Sequence, residues 1–204
     1  MESKLAVIEA KWVRGQNISM RGVFDFLTDI HFKNAHSYHY EMFNDAHAFK
    51  ELFSRMSSLN GIHDIYVAAH GDMNGIYGSN QELISKTIVK NIIESSNDAR
   101  GRLDSIYFGC CLFGNELSME KLLCAGSTIK WIAGYDKSVG FIDSSSLDLM
   151  FWNHYWNNKK ENKSNTTLQH IQKTFADLKN DTGGLMERLG FKVYVWDRSL
   201  QILA

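Results

Sequence analysis

The sequence lacks the features that mark several classes of protein. Its 204 residues include no proline and only three cysteines. No run of about 18 apolar residues is present, which excludes a membrane-spanning helix. The cysteines are Cys110, Cys111 and Cys124, an odd number with two adjacent members, which is a poor basis for a disulfide framework. We therefore expect free thiols in a reducing compartment.

An excess of either charge is also absent. The chain has 22 lysines and arginines against 23 aspartates and glutamates, so its formal net charge is -1. No strong positive field is available to attract nucleic acid or an anionic membrane surface. The N-terminal segment MESKLAVIEAKW lacks the long apolar core of a signal peptide, and we expect a cytoplasmic protein.

Motifs for cofactors and metals are missing as well. The phosphate-binding pattern GxxxxGK[ST] does not occur, and the segment VRGQNIS after the first predicted strand has no GxGxxG, which argues against nucleotide binding. His31, His36, His39 and His47 lie close together, but their spacing matches no zinc motif. We expect neither a metal nor a cofactor.

Segments with strand-like and helix-like patterns alternate along the chain. Apolar residues at i, i+3, i+4 and i+7, such as Val23, Phe26, Leu27 and Ile30, predict amphipathic helices. The predicted strands span residues 4–13, 37–43, 62–70, 102–111, 127–136 and 191–197. The predicted helices span residues 19–32, 45–59, 80–95, 115–126, 144–158 and 168–180, and a polar loop spans 158–167.

This alternation is typical of an α/β fold. It predicts a mostly parallel sheet of about six strands with helices on both faces. A hydrophobic content of 44% is ordinary for a globular protein. We expect a single domain over residues 1–204, in which the segment after the polar loop adds a helix and a strand to the same sheet.

Reactive side chains follow two of the predicted strands. One strand ends at His70 and the next ends at Cys110 and Cys111. Functional groups of open α/β sheets collect beyond the carboxyl ends of the strands, and a thiolate beside an imidazole can act as a nucleophile. Gly71 has no side chain, so its N–H can approach a substrate carbonyl as an oxyanion donor. The plainer interpretation is a solvated histidine and a buried, inert cysteine.

A resemblance to a known family favours the catalytic interpretation. The segment AAHGDMNGIYGSN (68–80) resembles the His-Gly strand end and following hairpin of caspase-like (clan CD) cysteine peptidases. The segment LDSIYFGCCLFGNE (103–116) resembles their strand before the nucleophile, and WIAGYDKSVGFIDSSSLDLMFWNHYW (131–156) is similar to the CHAT and separase-like branches. The resemblance implies a caspase-like three-layer sandwich and a His70–Cys111 dyad that needs no cofactor.

The choice of nucleophile depends on spacing. In the CHAT and separase-like branches a glycine stands three residues after the cysteine, and Gly114 has that spacing from Cys111 but not from Cys110. Successive side chains of a strand point to opposite faces, so only one of the two thiols can face the cleft. We assign Cys111 and keep Cys110 as the alternative. Cys124, in the next predicted helix, is expected in the core.

The resemblance also indicates where the P1 side chain of a substrate would bind. Asp136 and Asp143 flank the loop that lines this pocket in the family, and their charge would select arginine or lysine. Asp143 has a plainer role as a residue that favours a helix dipole. Arg14 resembles the basic residue of animal caspases and would instead favour aspartate. We favour a basic P1 residue, although Gly109 replaces the pocket aspartate of metacaspase-like enzymes.

The predicted function is a cysteine endopeptidase that cleaves a protein substrate under the control of a protein partner. By resemblance, a bacterial defence setting is expected, without nucleic acid or membrane as a partner. The alternatives are a catalytically silent caspase-like scaffold and a hydrolase of small molecules. A thiol probe separates an active site from a scaffold, because an activated cysteine reacts faster than an ordinary one.

Overall fold

The computed structural model of the protein describes residues 3–13, 15–97, 103–125, 128–197 and 199–203. The first half of the chain forms β1 (Leu5–Ala10), α1 (Arg21–Phe32), β2 (His39–Phe43), α2 (Ala46–Ser58), β3 (Asp64–Ala68), β4 (Gly75–Tyr77), β5 (Leu83–Ser85) and α3 (Lys86–Asn97). The second half forms β6 (Ser105–Gly109), α4 (Glu116–Ala125), β7 (Trp131–Tyr135), α5 (Phe141–Glu161), α6 (Thr167–Thr182), α7 (Leu185–Leu189), β8 (Phe191–Asp197) and β9 (Ser199–Leu203).

Seven of these strands form one sheet in the order β2-β1-β3-β6-β7-β8-β9. The first five are parallel to one another, and β8 and β9 are antiparallel to their neighbours. The strands β4 and β5 form a separate antiparallel hairpin. The predicted fold class is therefore confirmed: the sheet is mostly parallel and has helices on both faces.

Two hydrophobic layers cover the sheet because its strands are apolar on both sides. One layer joins side chains of the sheet to α2, α3 and α4, with Phe49, Phe53 and Ile92 among its buried members. The other joins the sheet to α1, α5, α6 and α7. Trp152 and Tyr155 of α5 are fully buried there, where this helix packs on the sheet.

Several predicted boundaries were wrong for local reasons. The predicted helix 80–95 begins only at Lys86, because Ile84 is buried in the β4–β5 hairpin opposite Ile76. The predicted polar loop shortens because α5 runs from Phe141 to Glu161. The short helix α7 and the last strand β9 were not predicted.

The buried face of α1 also differs from the predicted stripe. Phe24, Leu27 and Thr28 are buried, whereas Phe26 and Ile30 are 55% and 60% exposed. The helix α2 is capped by Asp45, whose side chain accepts a hydrogen bond from the N–H of Ala48. None of the helices in the described ranges combines the length and apolar character needed to cross a bilayer.

Candidate active site

The candidate site lies beyond the carboxyl ends of β3 and β6. These strands are parallel neighbours, and their last paired residues are Ala68 and Gly109. His70 and Cys111 each follow two residues later in the chain. The topology therefore brings the two residues to the same edge of the sheet, on adjacent strands, which is where open α/β folds hold their functional groups.

Gly71 packs directly against the backbone of the two cysteines. A Cβ atom at this position would lie 2.7 Å from the carbonyl oxygen of Cys111 and 3.0 Å from the Cβ of Cys110. No side chain fits in this space without a shift of the backbone. The segment after His70 therefore touches the segment that carries Cys111, and only glycine permits this approach.

The hairpin leaves the N–H of Gly71 available. Gly71 is bridged to Ile76, and the two hydrogen bonds of the bridge run from Tyr77 N to His70 O and from Asp72 N to Gly75 O. Such a bridge makes Gly71 and Ile76 a non-hydrogen-bonded pair, whose own N–H groups point away from each other. Within the described residues, no hydrogen bond takes the Gly71 N–H, which is the property expected of an oxyanion donor.

The imidazole of His70 is held by the segment that follows β1. Its Nε2 lies 2.8 Å from the carbonyl oxygen of Trp12, and the Trp12 ring packs edge-on against it at 5.2 Å between centroids. A carbonyl oxygen can only accept, so Nε2 carries the proton in this hydrogen bond. The neutral ring then has its lone pair on Nδ1, which makes Nδ1 the atom able to accept a proton from a thiol.

Trp12 is held in place by a buried glutamate, Glu9, which no sequence motif indicated. Glu9 is fully buried in β1 and accepts hydrogen bonds from Trp12 Nε1 at 2.6 Å and from the N–H of Met20 at 2.9 Å. The hydroxyls of Ser19 and Tyr40 donate to its other oxygen. Glu9 therefore positions His70 indirectly, because it holds Trp12, whose carbonyl accepts the hydrogen bond from the imidazole.

The Cys111 thiol is half-buried and contacts the loop between β7 and α5. Its Sγ lies 3.5 Å from the carbonyl oxygen of Val139 and 3.4 Å from the N–H of the same residue. The N–H of Val139 can donate to the sulfur, and the thiol can donate to the carbonyl oxygen. Within the described part of the chain, no hydrogen bond joins this sulfur to His70.

Cys110 has a different environment. It is fully buried in the layer formed with α2 and α3, and its thiol donates to the carbonyl of Val67 at 3.5 Å. Burial raises the pKa of the Cys110 thiol far above its ordinary value, so the group stays protonated and unreactive. This favours Cys111 as the reactive thiol. Cys124 is exposed on α4, so its predicted place in the core was wrong.

The two carboxylates predicted for a P1 pocket both have basic partners from the C-terminal part of the chain. Asp136 lies 2.7 Å from the Nζ of Lys192 beside a cavity of about 210 Å³, and its Oδ1 has no hydrogen-bond partner in the described ranges. Asp143 lies in the first turn of α5, 2.7 Å from Arg188 Nη1. Arg14, the third predicted pocket residue, lies outside the described residues.

A buried carboxylate lies beneath the candidate site. Asp148 of α5 is 1% exposed and accepts hydrogen bonds from Tyr66 and Tyr135, both at 2.5 Å, and from Tyr107. Burial raises the pKa of Asp148 to about 6, and the three phenol hydrogen bonds act against that rise. A sequence signal for this buried acceptor was present in the three tyrosines, which lie on three neighbouring buried strands. A buried tyrosine hydroxyl usually needs a hydrogen-bond partner, so three of them predict a shared acceptor.

This cluster explains the glycine two residues before Cys111. A Cβ at Gly109 would collide with the hydroxyl of Tyr66. The space that a larger residue at position 109 would fill is therefore occupied by Tyr66, which Asp148 holds in place. The departure from the metacaspase-like pattern thus has a local steric cause.

Comparison with known proteins supports the fold. No known family model matches the sequence, and no curated protein is significantly similar to it. Among solved structures, the fold is similar to that of a secreted C11 cysteine protease from Bacteroides thetaiotaomicron, solved in complex with an irreversible peptide inhibitor. The TM-score is 0.56 at 9% sequence identity, and the match covers 96% of this chain but only 66% of the protease chain. At this identity the likeness concerns the fold.

Proposed function

We propose that the protein is a cysteine peptidase in which Cys111 is the nucleophile and His70 is the general base. The observation that carries this proposal is the placement of both residues just beyond the paired ends of adjacent parallel strands, with the backbone of Gly71 against that of Cys111. The fold similarity to a C11 cysteine protease is consistent with it. The chain spans 66% of that protease, so its activity is inferred here from the local chemistry.

The proposed reaction uses the thiol of Cys111, the imidazole of His70 and the N–H of Gly71. Nδ1 of His70 accepts the thiol proton of Cys111, and the sulfur attacks the carbonyl carbon of the scissile peptide bond. The oxyanion that forms accepts a hydrogen bond from the N–H of Gly71. The imidazolium returns the proton to the departing amine, and water, deprotonated by the same imidazole, then hydrolyses the thioester and frees Cys111.

Trp12 and Val139 have opposite effects in this scheme. The carbonyl of Trp12 accepts from Nε2 of His70 and stabilises the imidazolium as it forms. The carbonyl of Val139 instead holds the thiol proton, so this contact must break before His70 can take that proton. We infer that a substrate or a protein partner that shifts the loop at residues 136–140 would activate the thiol, in keeping with control by a partner.

For the P1 residue we propose arginine or lysine. Asp136 is the better of the two candidate carboxylates, since its Oδ1 is buried without a partner in the described ranges and can accept one further hydrogen bond. Asp143 is more exposed and is paired with Arg188. Cleavage after aspartate is the alternative and would give Arg14 the main role.

A panel of fluorogenic peptides that differ only at P1 tests the activity and its specificity. We expect cleavage after arginine or lysine, and Asp136→Asn should lower kcat/KM for those peptides by about 10- to 100-fold, the effect of a hydrogen bond to a charged group. Asp29→Asn, on the exposed side of α1, is the matched control. Cleavage after aspartate alone, or an unchanged kcat/KM in Asp136→Asn, would contradict the basic P1 proposal.

A non-catalytic scaffold is the second candidate function. It is favoured by the aromatic side chain of Trp12, which contacts both His70 and Phe141, and by the engagement of Cys111 with Val139. In a scaffold these contacts would be permanent. Absence of peptide cleavage by the wild type, together with partner binding that is unchanged in Cys111→Ala, would identify this role.

A further inference from the structure

A second cavity lies at the opposite edge of the sheet from His70 and Cys111. It measures about 400 Å³ and is lined by residues that precede parallel strands: Lys4 before β1, His63 before β3 and Asp104 before β6. The end of α5 and the start of α6 close its other side. Parallel strands share their direction, so this edge is separated from the candidate active site by the length of the sheet.

Two buried ring nitrogens border this cavity without a partner. Trp156 is 3% exposed and His170 is 7% exposed, yet in the described ranges Trp156 Nε1 and His170 Nδ1 have no hydrogen-bond partner. An indole N–H can only donate, and a buried donor without an acceptor destabilises the folded protein. Among the described residues, the indole N–H groups of Trp131 and Trp152 also have no hydrogen-bond partner, but both rings are fully buried in the core. Trp156 differs from them because it borders a cavity able to hold an acceptor.

The charged groups around the cavity are mostly positive. Lys4, Lys159 and Lys160 line it together with a single carboxylate, that of Asp104. Oδ1 of Asp104 lies 2.6 Å from the Nζ of Lys130, a residue that does not line the cavity. Its Oδ2 lies 3.0 Å from the Nδ1 of His63. Asp104 is therefore paired within the protein. Lys159 is paired as well, since its Nζ lies 3.7 Å from the buried carboxylate of Asp64. Lys4 and Lys160 leave the cavity with an excess of positive charge.

His170 fits the same chemistry. Burial and the positive charge of Lys159 lower the pKa of His170, and a backbone hydrogen bond with Asn165 partly opposes this. The ring is therefore neutral near pH 7, and its one N–H donates to the backbone of Asn165. The unpartnered Nδ1 then carries a lone pair and can accept a hydrogen bond from a protonated phosphate oxygen. Thr167, at the first turn of α6, also borders the cavity, so the positive end of a helix dipole adds to the field.

We propose that this cavity binds a small molecule that carries a phosphate group. Three lysines and the indole of Trp156 border it, and a phosphate monoester has enough oxygens to accept from several donors, where a carboxylate has only two. A volume of about 400 Å³ lies within the range of small-molecule sites and accommodates more than a bare phosphate ion. The proposal is independent of peptidase activity.

Isothermal titration calorimetry with inorganic phosphate, adenosine monophosphate and adenosine tests this site. We expect binding of both phosphate-bearing probes, with adenosine bound at least about 10-fold more weakly than its monophosphate, since a hydrogen bond to a charged group is lost. Higher salt should weaken the binding of the two anions. Absence of binding by either phosphate-bearing probe at millimolar concentration, or equal affinity for adenosine and its monophosphate, would overturn the proposal.

Two variants locate the binding to this cavity. Trp156→Phe keeps a ring but removes the indole N–H, and Lys4→Gln removes a charge from the exposed rim. Each should weaken adenosine monophosphate binding by about 5-fold or more, as expected for the loss of one charged hydrogen bond. Lys121→Gln, on the exposed side of α4, should bind as the wild type does. Circular dichroism melting checks that the variants are folded, and wild-type affinity in both cavity variants would refute the assignment.

Discussion

The buried Asp148 should make the stability of the protein depend on pH in a defined direction. Its pKa is raised in the folded state from 3.8 to about 6, chiefly by burial. The folded state therefore holds this proton more tightly than the unfolded chain. The contribution of the protonated Asp148 carboxyl to the unfolding free energy is fully present below about pH 4. It is lost as the pH rises through about 6, because the carboxyl group must then ionise inside the protein. A shift of about two units corresponds to about 3 kcal/mol at about 1.36 kcal/mol per unit.

Urea unfolding of the wild type and of Asp148→Asn, followed by tryptophan fluorescence between about pH 4 and pH 7.5, measures this effect. The variant cannot ionise at this position, so the difference in unfolding free energy between the two proteins should change by about 3 kcal/mol in favour of the variant as the pH rises. Asp29→Asn, an exposed carboxylate of α1, should follow the wild-type profile. Parallel profiles for the wild type and Asp148→Asn would refute the reasoning.

Two further predictions concern the candidate site. Gly71→Ala should lower the rate of thiol labelling at Cys111 by about 10-fold or more and destabilise the protein by about 1–3 kcal/mol, because a methyl group 2.7 Å from the Cys111 carbonyl oxygen must push the two segments apart. Labelling kinetics and urea unfolding measure the two effects. A wild-type labelling rate would contradict this prediction. Cys110→Ala should leave peptide hydrolysis largely intact while Cys111→Ala abolishes it; the reverse result in a fluorogenic assay would transfer the nucleophile to Cys110.

The fold class could be predicted from the sequence because strands and helices leave periodic patterns of apolar residues. Five parallel strands each carry a short apolar run, and helical stripes separate them, so the order of elements gave the α/β architecture. The errors arose where tertiary contacts decide the outcome. Ile84 is compatible with a helix and with a strand, and its burial opposite Ile76 selects the hairpin. Phe26 and Ile30 fit a helical stripe, but the sheet packs against the neighbouring face of α1.

The candidate site was predictable only in part. His70 and the Cys110–Cys111 pair were predicted because they follow apolar strands, and that placement is a property of the local sequence. Cys111 was assigned over Cys110 by its spacing from Gly114, which resembles the CHAT and separase-like branches. The carbonyl of Trp12 and the buried Glu9 act through backbone and long-range contacts, which no short motif encodes. The partners of Asp136 and Asp143 come from residues near the C-terminus, 56 and 45 positions further along the chain at Lys192 and Arg188, so sequence proximity could not reveal them.

The central claim, that His70 activates Cys111, is tested most directly by the rate at which each cysteine reacts with an irreversible thiol reagent. Tryptic mass spectrometry after timed iodoacetamide treatment near pH 7 measures the three thiols in one sample, with exposed Cys124 as the internal reference and buried Cys110 as the unreactive one. We predict that Cys111 reacts faster than Cys124 and that His70→Ala slows Cys111 by about 100-fold, the lower range for loss of a general base, without affecting Cys124. A half-buried Cys111 that reacts no faster than Cys124, with a rate unchanged in His70→Ala, would contradict the account.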